Sequence, residues 1–389
     1  MLKKLTRITT IPMSLNLLLK NQLKFLSAHF NVTAISGKGE DLDIVRKREA
    51  VNVFSIEMER KISPFKDLIS LLRLYRYFRK ERPEIIHSIT PKAGLLSMVA
   101  GKLANVPIRM HTFTGLIFPS KTGFMQKVLI QMDKILCYCA TNVYPEGNGV
   151  KVDLIKFNIT SKPLKVLANG NVNGIDLKYF NINTISEEQT NSLKNELKIK
   201  STDFVFIFVG RLVGDKGINE LIAAFKNVDN KCPQNSIKLL LVGSLEIYLD
   251  PLNNDSLNEI QNNPNIISVG FQQDVRQYFA ISNVLVFPSY REGFPNVVMQ
   301  AGAMHLPSIV TNINGCNEII VEGINGTIVS VKDTDAICTA MLNFVYDEKY
   351  LNLLKGNARR MIEERYDQSV VWNALLKEYN TLLKEKNNV

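Results

Sequence analysis

Short apolar runs alternate with amphipathic helical patterns along most of the chain. The run 204–209, Phe-Val-Phe-Ile-Phe-Val, has no polar position, which is typical of a parallel strand buried on both faces. Between such runs, leucines recur at helical spacing, as they do over 14–30. A β-α-β alternation implies parallel sheets with right-handed crossovers. The pattern therefore predicts an α/β protein.

The pattern also gives bounds for individual elements. Strands are predicted at 5–12, 31–36, 51–56, 85–90, 108–114, 142–145, 204–209, 238–242, 266–270, 284–287 and 308–310. Helices are predicted over 14–30, 65–81, 123–138, 149–157, 218–227 and 369–386, and the polar stretch 37–49 is predicted to be a mobile loop.

A chain of 389 residues is too long for one ordinary core. We expect an amino-terminal Rossmann-like domain over 1–180 and a carboxyl-terminal one over 181–365. A last helix over 366–389 is expected to pack back on the first domain. The polar residues 181–190 are expected to connect the two domains.

One stretch, 289–301, carries the strongest chemical signal. It follows an apolar run and presents the carboxylate of Glu292 at the carboxyl end of a predicted strand, where open α/β sheets bind ligands. Gly293 lets the backbone approach a ligand closely, and Pro295 suits a first helical turn. Gln300 lies about two helical turns after Glu292 and can face the same crevice. An ordinary loop with a solvated glutamate is the alternative.

A second motif combines two cations with a strand end and a helix start. Gly210 and Arg211 end the run 204–209, and Lys216 precedes the helical pattern that begins at Ile218. Helix N-termini favour anions, and cationic side chains form charge-assisted hydrogen bonds to phosphate. The motif is therefore a candidate diphosphate site, with a surface Arg/Lys pair as the alternative.

These motifs resemble glycosyltransferase family 4, the retaining nucleotide-sugar transferases. The stretch 289–301 is similar to the family's donor-sugar loop, which has an acidic residue, Gly-Phe-Pro or similar, and a second Glu eight residues after the first. Residues 210–217 resemble its phosphate-gripping segment, residues 173–176 its entry to the interdomain linker, and residues 315–320 its glycine-rich turn. The resemblance covers nearly the whole chain and is strongest in the second half.

The resemblance implies a GT-B fold, in which two Rossmann-like domains face a central cleft and the last helix crosses back to the first domain. It implies that Arg211 and Lys216 stabilise the departing diphosphate and that Glu292 holds donor-sugar hydroxyls. The implied donor-binding residues are Gly210, Gly293, Phe294, Pro295, Asn296, Gln300 (on the ribose) and Glu318. The nucleotide-sugar, expected to be a UDP-sugar, is then a substrate, and no cofactor or metal ion is expected.

Two positions depart from the family pattern. Gln300 replaces the second Glu, and Thr114 stands where members often have a histidine that touches the donor sugar. His111 would point to the opposite face of its strand from Thr114, so we interpret it as a core histidine. These departures leave two alternatives to a transferase: a GT-B-fold nucleotide-sugar epimerase and an inactive protein that binds sugar nucleotides.

The first half indicates the acceptor. Residues 91–96 and 109–115 resemble members that build capsule, O-antigen and lipid-linked oligosaccharides, which implies a lipid-linked or glycan acceptor. Lys92, at a strand-to-helix junction, could meet an acceptor pyrophosphate or simply begin a helix. Lys92 and Thr114 are accordingly the acceptor-side candidates.

Charge is divided unevenly between the halves. Residues 1–180 hold 28 Lys and Arg against 13 Asp and Glu, a net +15, whereas the remainder carries −5. Such asymmetry indicates an anionic surface or substrate for the first half. The helix 65–81 is rich in cations. Its predicted apolar stripe comprises Leu68, Leu71, Leu72, Tyr75 and Phe78.

The cations of helix 65–81 have three interpretations. They can form the solvated face of a helix whose apolar stripe packs in the core. They can dock the protein peripherally on the anionic inner face of the plasma membrane, where each basic residue adds ~1 kcal/mol. Arginines interleaved with tyrosines are also typical of nucleic-acid patches, but no nucleic-acid fold signature accompanies them, so no nucleic-acid partner is expected.

Composition limits the remaining classes. The five cysteines are scattered and lack metal-ligand spacing, which favours reduced thiols in the cytoplasm. The four histidines form no cluster with cysteines, so a dedicated metal site is not expected. No apolar run approaches the ~20 residues of a membrane span, and the N-terminus lacks the apolar core of a signal peptide.

Overall fold

The computed structural model describes residues 2–59, 62–232, 236–248 and 250–387. The chain forms two compact units, residues 1–174 with 368–389 and residues 175–367. The first break follows Gly174 rather than residue 180, because the amide of Ile175 already donates to the carbonyl of Tyr366 (2.7 Å) in the second unit. The last helix begins at Gln368.

The first unit is built on a six-stranded parallel sheet in the order β3-β2-β1-β4-β5-β6. Its strands are β1 (Lys4–Ile8), β2 (Asn31–Ser36), β3 (Asn52–Ser55), β4 (Ile85–Ser88), β5 (Ile108–Phe113) and β6 (Asn142–Pro145). Its helices are α1 (Pro12–Leu18), α2 (Gln22–Ser27), α3 (Glu40–Glu49), α4 (Pro64–Glu81), α5 (Pro91–Leu103), α6 (Gly123–Cys139), α7 (Asn148–Lys156) and the last helix, α16 (Gln368–Asn387).

Helices cover both faces of this sheet. One apolar core lies beneath α1, α2, α3 and α16, and it includes Leu15, Leu23 and Leu382. The other lies beneath α4, α5 and α6, and it includes Phe78 and Leu136. Because the sheet is covered on both faces, even polar strand residues such as Arg7, His87 and His111 are buried.

Two predicted elements of the first unit were wrong. The helix predicted over 14–30 is broken at Asn21, which adopts a left-handed conformation (φ 66°). The buried carboxylate of Glu49 accepts the amides of Asn21 (2.9 Å) and Lys24 (3.0 Å), which fixes the start of α2. The predicted loop 37–49 contains α3, because Leu42 and Val45 are buried along one helical face.

The second unit repeats the architecture with a parallel sheet in the order β12-β11-β10-β7-β8-β9. Its strands are β7 (Phe204–Val209), β8 (Ile237–Val242), β9 (Ile266–Ser268), β10 (Val284–Phe287), β11 (Ser308–Thr311) and β12 (Gly326–Val329). Its helices are α8 (Glu187–Glu196), α9 (Ile218–Lys231), α10 (Asn254–Asn262), α11 (Arg276–Ala280), α12 (Asn296–Ala303), α13 (Cys316–Ile319), α14 (Thr334–Tyr346) and α15 (Glu348–Tyr366).

Two features of the second unit differ from the prediction. The polar stretch 181–190 is part of this unit, and Ser186 and Gln189 form a capping box that starts α8. Strand β12 has no counterpart among the predicted strands. Over the described residues, no helix combines the length and the apolarity that crossing a bilayer demands.

Buried polar side chains join α16 to the sheet of the first unit. Arg7 on β1 is 1% exposed and donates to the hydroxyl of Tyr379 (2.7 Å) and to Nδ1 of His87. His87 Nε2 then donates to the hydroxyl of Thr112 (2.8 Å). Burial, followed by the charge of Arg7, holds the pKa of His87 well below its ordinary value. His87 is therefore neutral, and Arg7 carries the positive charge.

His111 has the core position that its strand pattern predicted. It is fully buried, its Nδ1 bonds the hydroxyl of Ser88 (2.8 Å), and its ring packs edge-on against Phe113. Burial lowers its pKa to about 3. A histidine in this position cannot take up a proton while the unit stays folded at neutral or mildly acidic pH.

We expect the first unit to lose stability as the pH falls through the window from about 6.5 to about 3. The unfolded chain binds a proton at His111 near its ordinary pKa of about 6.5, whereas the folded chain does not, so the free energy of unfolding falls by up to ~1.4 kcal/mol per pH unit for this residue. His111→Asn should make this slope shallower. Fluorescence of Trp372, the single tryptophan, follows unfolding of this unit.

His29→Asn is the matched control, since His29 lies on the exposed surface of the same unit. Denaturant unfolding curves of the three proteins between pH 7 and pH 5 give the slopes. Equal slopes for His111→Asn and the unmodified protein would contradict the prediction.

Candidate active site

Three strand-to-helix turns lie side by side at the carboxyl edge of the second sheet. They follow β7, β10 and β11, which are adjacent in the sheet. Ligands of open α/β sheets bind at this edge. The turns contain residues 210–217, 288–295 and 312–315.

Two glycines allow these turns to come close together. Gly217 has a φ of +71°, and a Cβ on it would lie 2.1 Å from the carbonyl oxygen of Pro288. Gly315 has a φ of +75°, and a Cβ on it would lie 2.5 Å from the carbonyl oxygen of Gly293. Only glycine fits such conformations and distances. The first and third turns are thereby packed against the middle one.

This packing places Lys216 against Glu292, 76 positions later in the chain. Lys216 Nζ donates to Oε1 of Glu292, and each side chain is only 17% exposed. Ser289, which is fully buried, donates its hydroxyl to the same oxygen (2.9 Å). Oε2 has no hydrogen bond within the part of the chain that the structure describes, so it can still accept hydroxyl groups.

Arg211 lies at the rim of the same edge. Its side chain is 51% exposed and pairs with Glu246 at 3.2 Å. Arg291 likewise pairs with Asp215 at 2.9 Å. Each cation of the three turns therefore has a carboxylate partner, and an incoming anion must compete with these carboxylates.

The other donor-binding candidates lie after β7, on α12 and α13, and in the turn before α12. Gly210 directly follows β7 and has a φ of +154°. Phe294 is buried with its ring edge-on to Tyr366 (5.4 Å between centroids). Pro295 precedes α12 as its N-cap and is not in its first turn. Asn296 begins this helix, and Gln300 lies one turn further on, partly exposed.

The prediction that Glu292 and Gln300 lie two turns apart on one helix was wrong, because α12 begins only at Asn296. Glu292 lies in the turn four residues before Asn296, so Glu292 and Gln300 are not separated by two turns of one helix. Glu318 lies on the short α13, and its carbonyl accepts from Arg365 (2.9 Å) and from the hydroxyl of Tyr366 (3.0 Å).

Burial and nearby carboxylates raise the pKa values of two further groups in this site, the Tyr290 hydroxyl and the Cys316 thiol. Burial, and then a hydrogen bond to Glu220 (2.6 Å), raises the pKa of the Tyr290 hydroxyl. Burial, and then the charge of Glu292, raises the pKa of the Cys316 thiol well above its ordinary value. Both groups therefore remain protonated, and all five cysteines are buried free thiols.

The two acceptor-side candidates lie at the carboxyl edge of the first sheet. Lys92, in the first turn of α5, is 7% exposed and pairs with Asp67 of α4 at 2.6 Å. Thr114 donates its hydroxyl to the carbonyl of Ile89 (2.8 Å). Thr10 and Thr90 join hydroxyls at 2.8 Å on the same edge. Across the described residues, no group of three or more His, Cys, Asp or Glu side chains is arranged to hold a metal ion.

Both halves of the chain match known glycosyltransferase models. The model "Glycosyl transferases group 1" matches residues 189–361, and "Glycosyl transferase 4-like" matches residues 7–146. The capsular polysaccharide biosynthesis glycosyltransferase CapM of Staphylococcus aureus is 35% identical over 386 residues, which cover 98% of each chain. The chain therefore belongs to the family of glycosyltransferases that these two models and CapM represent.

One further sequence relative and one solved structure are also similar to this glycosyltransferase. The UDP-Gal:alpha-D-GlcNAc-diphosphoundecaprenol alpha-1,3-galactosyltransferase of Escherichia coli is 31% identical over 78% of this chain and 76% of its own. The crystal structure of a glycosyltransferase from Rickettsia africae superposes with a TM-score of 0.82 over 98% of this chain and 99% of its own, at 19% identity. The predicted family and the predicted GT-B fold class are confirmed. These findings favour a transferase over the epimerase and the inactive binding protein.

Several residues of the glycosyltransferase site were missed from sequence. Ser289 begins the stretch 289–301 without a predicted role, and Thr311 lies outside every motif, yet Thr311 donates to the carbonyl of Ser289 and thereby fixes the turn beneath Glu292. Asp215, which pairs with Arg291, also accepts the amide of Tyr290 at its carbonyl (2.9 Å). The available signal was position, because Ser289 and Thr311 both lie where a predicted strand ends.

Gly217→Ala should destabilise the second unit. The added methyl group would collide with Pro288 and would hold a left-handed backbone that alanine disfavours, at a cost of about 1–3 kcal/mol. Gly356→Ala on α15 is the matched control, because no atom lies within 4 Å of its Cβ position. Denaturant unfolding followed by circular dichroism compares them. Equal stability of both variants would show that the turn relaxes freely.

Proposed function

We propose that this glycosyltransferase moves a sugar from a UDP-sugar to a lipid-linked acceptor in surface polysaccharide synthesis, with retention of the anomeric configuration. The arrangement of Lys216, Ser289 and Glu292 beside Arg211 carries the proposal. It combines cations for a diphosphate with a carboxylate oxygen that is open to sugar hydroxyls. The second unit would then hold the donor and the first unit the acceptor.

The donor side rests on electrostatics that are already in place before the substrate binds. Lys216 lies directly before α9, a helix of 14 residues whose amino end favours anions. Arg211 adds a second cation at the end of β7. Together they would stabilise the negative charge that develops on the diphosphate as the bond to the sugar breaks. No metal ion or other cofactor is invoked.

The resemblance to retaining nucleotide-sugar transferases implies the course of the reaction. The acceptor hydroxyl would attack the anomeric carbon on the face from which the diphosphate departs, and an oxygen of the departing phosphate would take the hydroxyl proton. One C–O bond forms as another breaks, and the products are the glycosylated acceptor and a nucleoside diphosphate. Oε2 of Glu292 would hold the sugar hydroxyls during this exchange, and Gln300 would hold the ribose.

The acceptor class is supported by the relatives and by charge. The E. coli relative is named for a diphosphoundecaprenol acceptor and a UDP-sugar donor. The net charge of +15 over residues 1–180 favours an anionic acceptor. Lys92 would approach the acceptor diphosphate by exchanging its partner Asp67. Thr114 would lie on the same side.

Lys216→Ala and Arg211→Ala should each weaken binding of a nucleoside diphosphate about tenfold or more. Each variant removes one charge-assisted contact, which is worth about 1.5–3 kcal/mol. Glu292→Gln should leave this binding unchanged or tighten it, because Lys216 loses its competing carboxylate, yet it should reduce sugar transfer at least about tenfold. Calorimetry with UDP and a transfer assay provide both measurements.

Lys226→Ala is the matched control for loss of a cation from the second unit. Lys226 is exposed on α9 and pairs with Glu259 at 2.8 Å. Its affinity for UDP should remain that of the unmodified protein. The assignment fails if Arg211→Ala and Lys216→Ala bind UDP as tightly as Lys226→Ala.

We also propose that α4 docks the first unit on the anionic cytoplasmic face of a membrane. The predicted apolar stripe of α4 was wrong in part: Ser70, Leu74 and Phe78 are buried, whereas Leu68 (53%) and Leu72 (44%) are exposed. Phe65 and Ile69 are exposed too, so four large apolar side chains share the outer surface of the first half of α4. Exposed apolar side chains on a basic helix are typical of interfacial helices.

Leu68→Ser combined with Leu72→Ser should reduce flotation with anionic vesicles several-fold, because less apolar surface enters the interface. Binding of the unmodified protein should also weaken as salt rises, since screening shortens electrostatic attraction to about 10 Å at 0.1 M. Vesicles of phosphatidylglycerol and phosphatidylcholine, at low and high salt, make the measurement.

Met13→Ser combined with Leu17→Ser is the matched control, since both residues are exposed apolar side chains of α1. This helix covers the opposite face of the sheet from α4. Membrane docking through α4 is refuted if the unmodified protein does not float at any salt concentration, or if both double variants float equally.

A further inference from the structure

A groove of about 590 Å³ follows the open edge of the first sheet. One wall is β3, which lies at the end of the strand order and, among the described residues, pairs with β2 alone. The other wall is the flank of α4. The lining includes Asn52, Phe54, Ser55, Tyr77 and three cations, Arg73, Arg76 and Lys80. None of these residues belongs to the donor or acceptor candidates.

The three cations have no carboxylate partner in the described ranges of the chain. They lie at positions i, i+3 and i+7 of α4 and therefore share one side of the helix. Glu81, the carboxylate among the lining residues, pairs instead with Lys4 at 3.1 Å. The groove is thus strongly positive, whereas each cation of the donor site has a carboxylate partner.

Two aromatic rings, those of Phe54 and Tyr77, lie beside these cations. The rings of Phe54 and Tyr77 lie 4.6 Å apart at an angle of 35°. Phe54 is 44% exposed although it lies on a strand. Asn52 and Ser55 add neutral polar groups. The groove therefore offers charge for an anionic group, hydrogen bonds for hydroxyls and an apolar surface for a hydrocarbon segment.

We infer that this groove binds the headgroup of an anionic phospholipid. The inference rests on the membrane docking proposed for α4 and gives it a specific ligand. Arg73, Arg76 and Lys80 would contact the phosphate, and Phe54 would contact the glycerol and the first carbons of the chains.

The exposed apolar surface of α4 decides between a lipid and a protein partner. An acidic peptide could pair with β3 and satisfy the cations. It would not explain why Ile69 and Leu72 continue the line of Arg76 and Lys80 along the outer side of α4. A bilayer contacts both parts at once, because its headgroups meet the cations while its interface meets the apolar side chains.

Dihexanoyl phosphatidylglycerol, used below its micelle-forming concentration, tests the site on the full chain. We expect saturable binding that dihexanoyl phosphatidylcholine does not reproduce, with slower amide hydrogen exchange over residues 52–56. Arg73→Gln combined with Arg76→Gln should weaken this binding about tenfold or more. Lys24→Gln combined with Lys47→Gln should not, because these exposed cations lie on α2 and α3, across the sheet from α4.

Three results would overturn the inference. One is the absence of saturable binding or of a hydrogen-exchange change over 52–56 in the unmodified protein. The second is equal affinity for inorganic phosphate, which would make the groove a general anion site. The third is tighter binding of an oligoglutamate peptide, which would indicate a protein partner. Transfer to a lipid-linked acceptor in detergent tests the proposed catalytic function separately, since it needs no anionic phospholipid.

Discussion

The close approach of Gly217 to Pro288 is the constraint on which the second unit's site depends. It requires a backbone without a Cβ at residue 217, and it places Lys216 where its ammonium meets Glu292. The ion pair then fixes one carboxylate oxygen and leaves the other for a ligand. Ser289 and Thr311 support the same turn from below through buried hydrogen bonds. A local steric condition thus sets the geometry of residues that are far apart in the chain.

The cations of the two units differ in whether a carboxylate pairs with them. In the second unit, Lys216, Arg211 and Arg291 each have a carboxylate partner, so these charges balance, and Lys216, which is only 17% exposed, is held in place by its pair. A preorganised cation loses little conformational entropy when a phosphate replaces its carboxylate. In the first unit, Arg73, Arg76 and Lys80 have no such partner among the described residues. Unpaired cations favour a binding partner that brings many negative charges at once, as a membrane surface does.

Sequence predicted the strands and their carboxyl-terminal turns well, because runs such as 204–209 have one physical explanation, burial on both faces of a sheet. It failed where long-range contacts decide local structure. Glu49 breaks the helix predicted over 14–30 by bonding Asn21, and no pattern within 14–30 contains that information. Likewise, the cations and the acid of the donor motifs were found, but the pairing of Lys216 with Glu292 was not. Helical periodicity also could not show which leucines of α4 face the core, because apolar residues occupy more than one of its sides.

The position of α4 would connect the proposed membrane docking with the proposed acceptor site. Helices of a parallel sheet begin at the edge where the preceding strands end, and the ion pair between Asp67 and Lys92 places the first turn of α4 beside the first turn of α5. Phe65 and Leu68 therefore lie within one helical turn of Asp67, at the edge that carries Lys92 and Thr114. A helix of 18 residues is about 27 Å long, so α4 reaches a bilayer with both its apolar and its cationic half only if it lies along the surface. In that orientation the proposed acceptor edge would lie alongside the headgroup layer, where the diphosphate of a lipid-linked sugar is found.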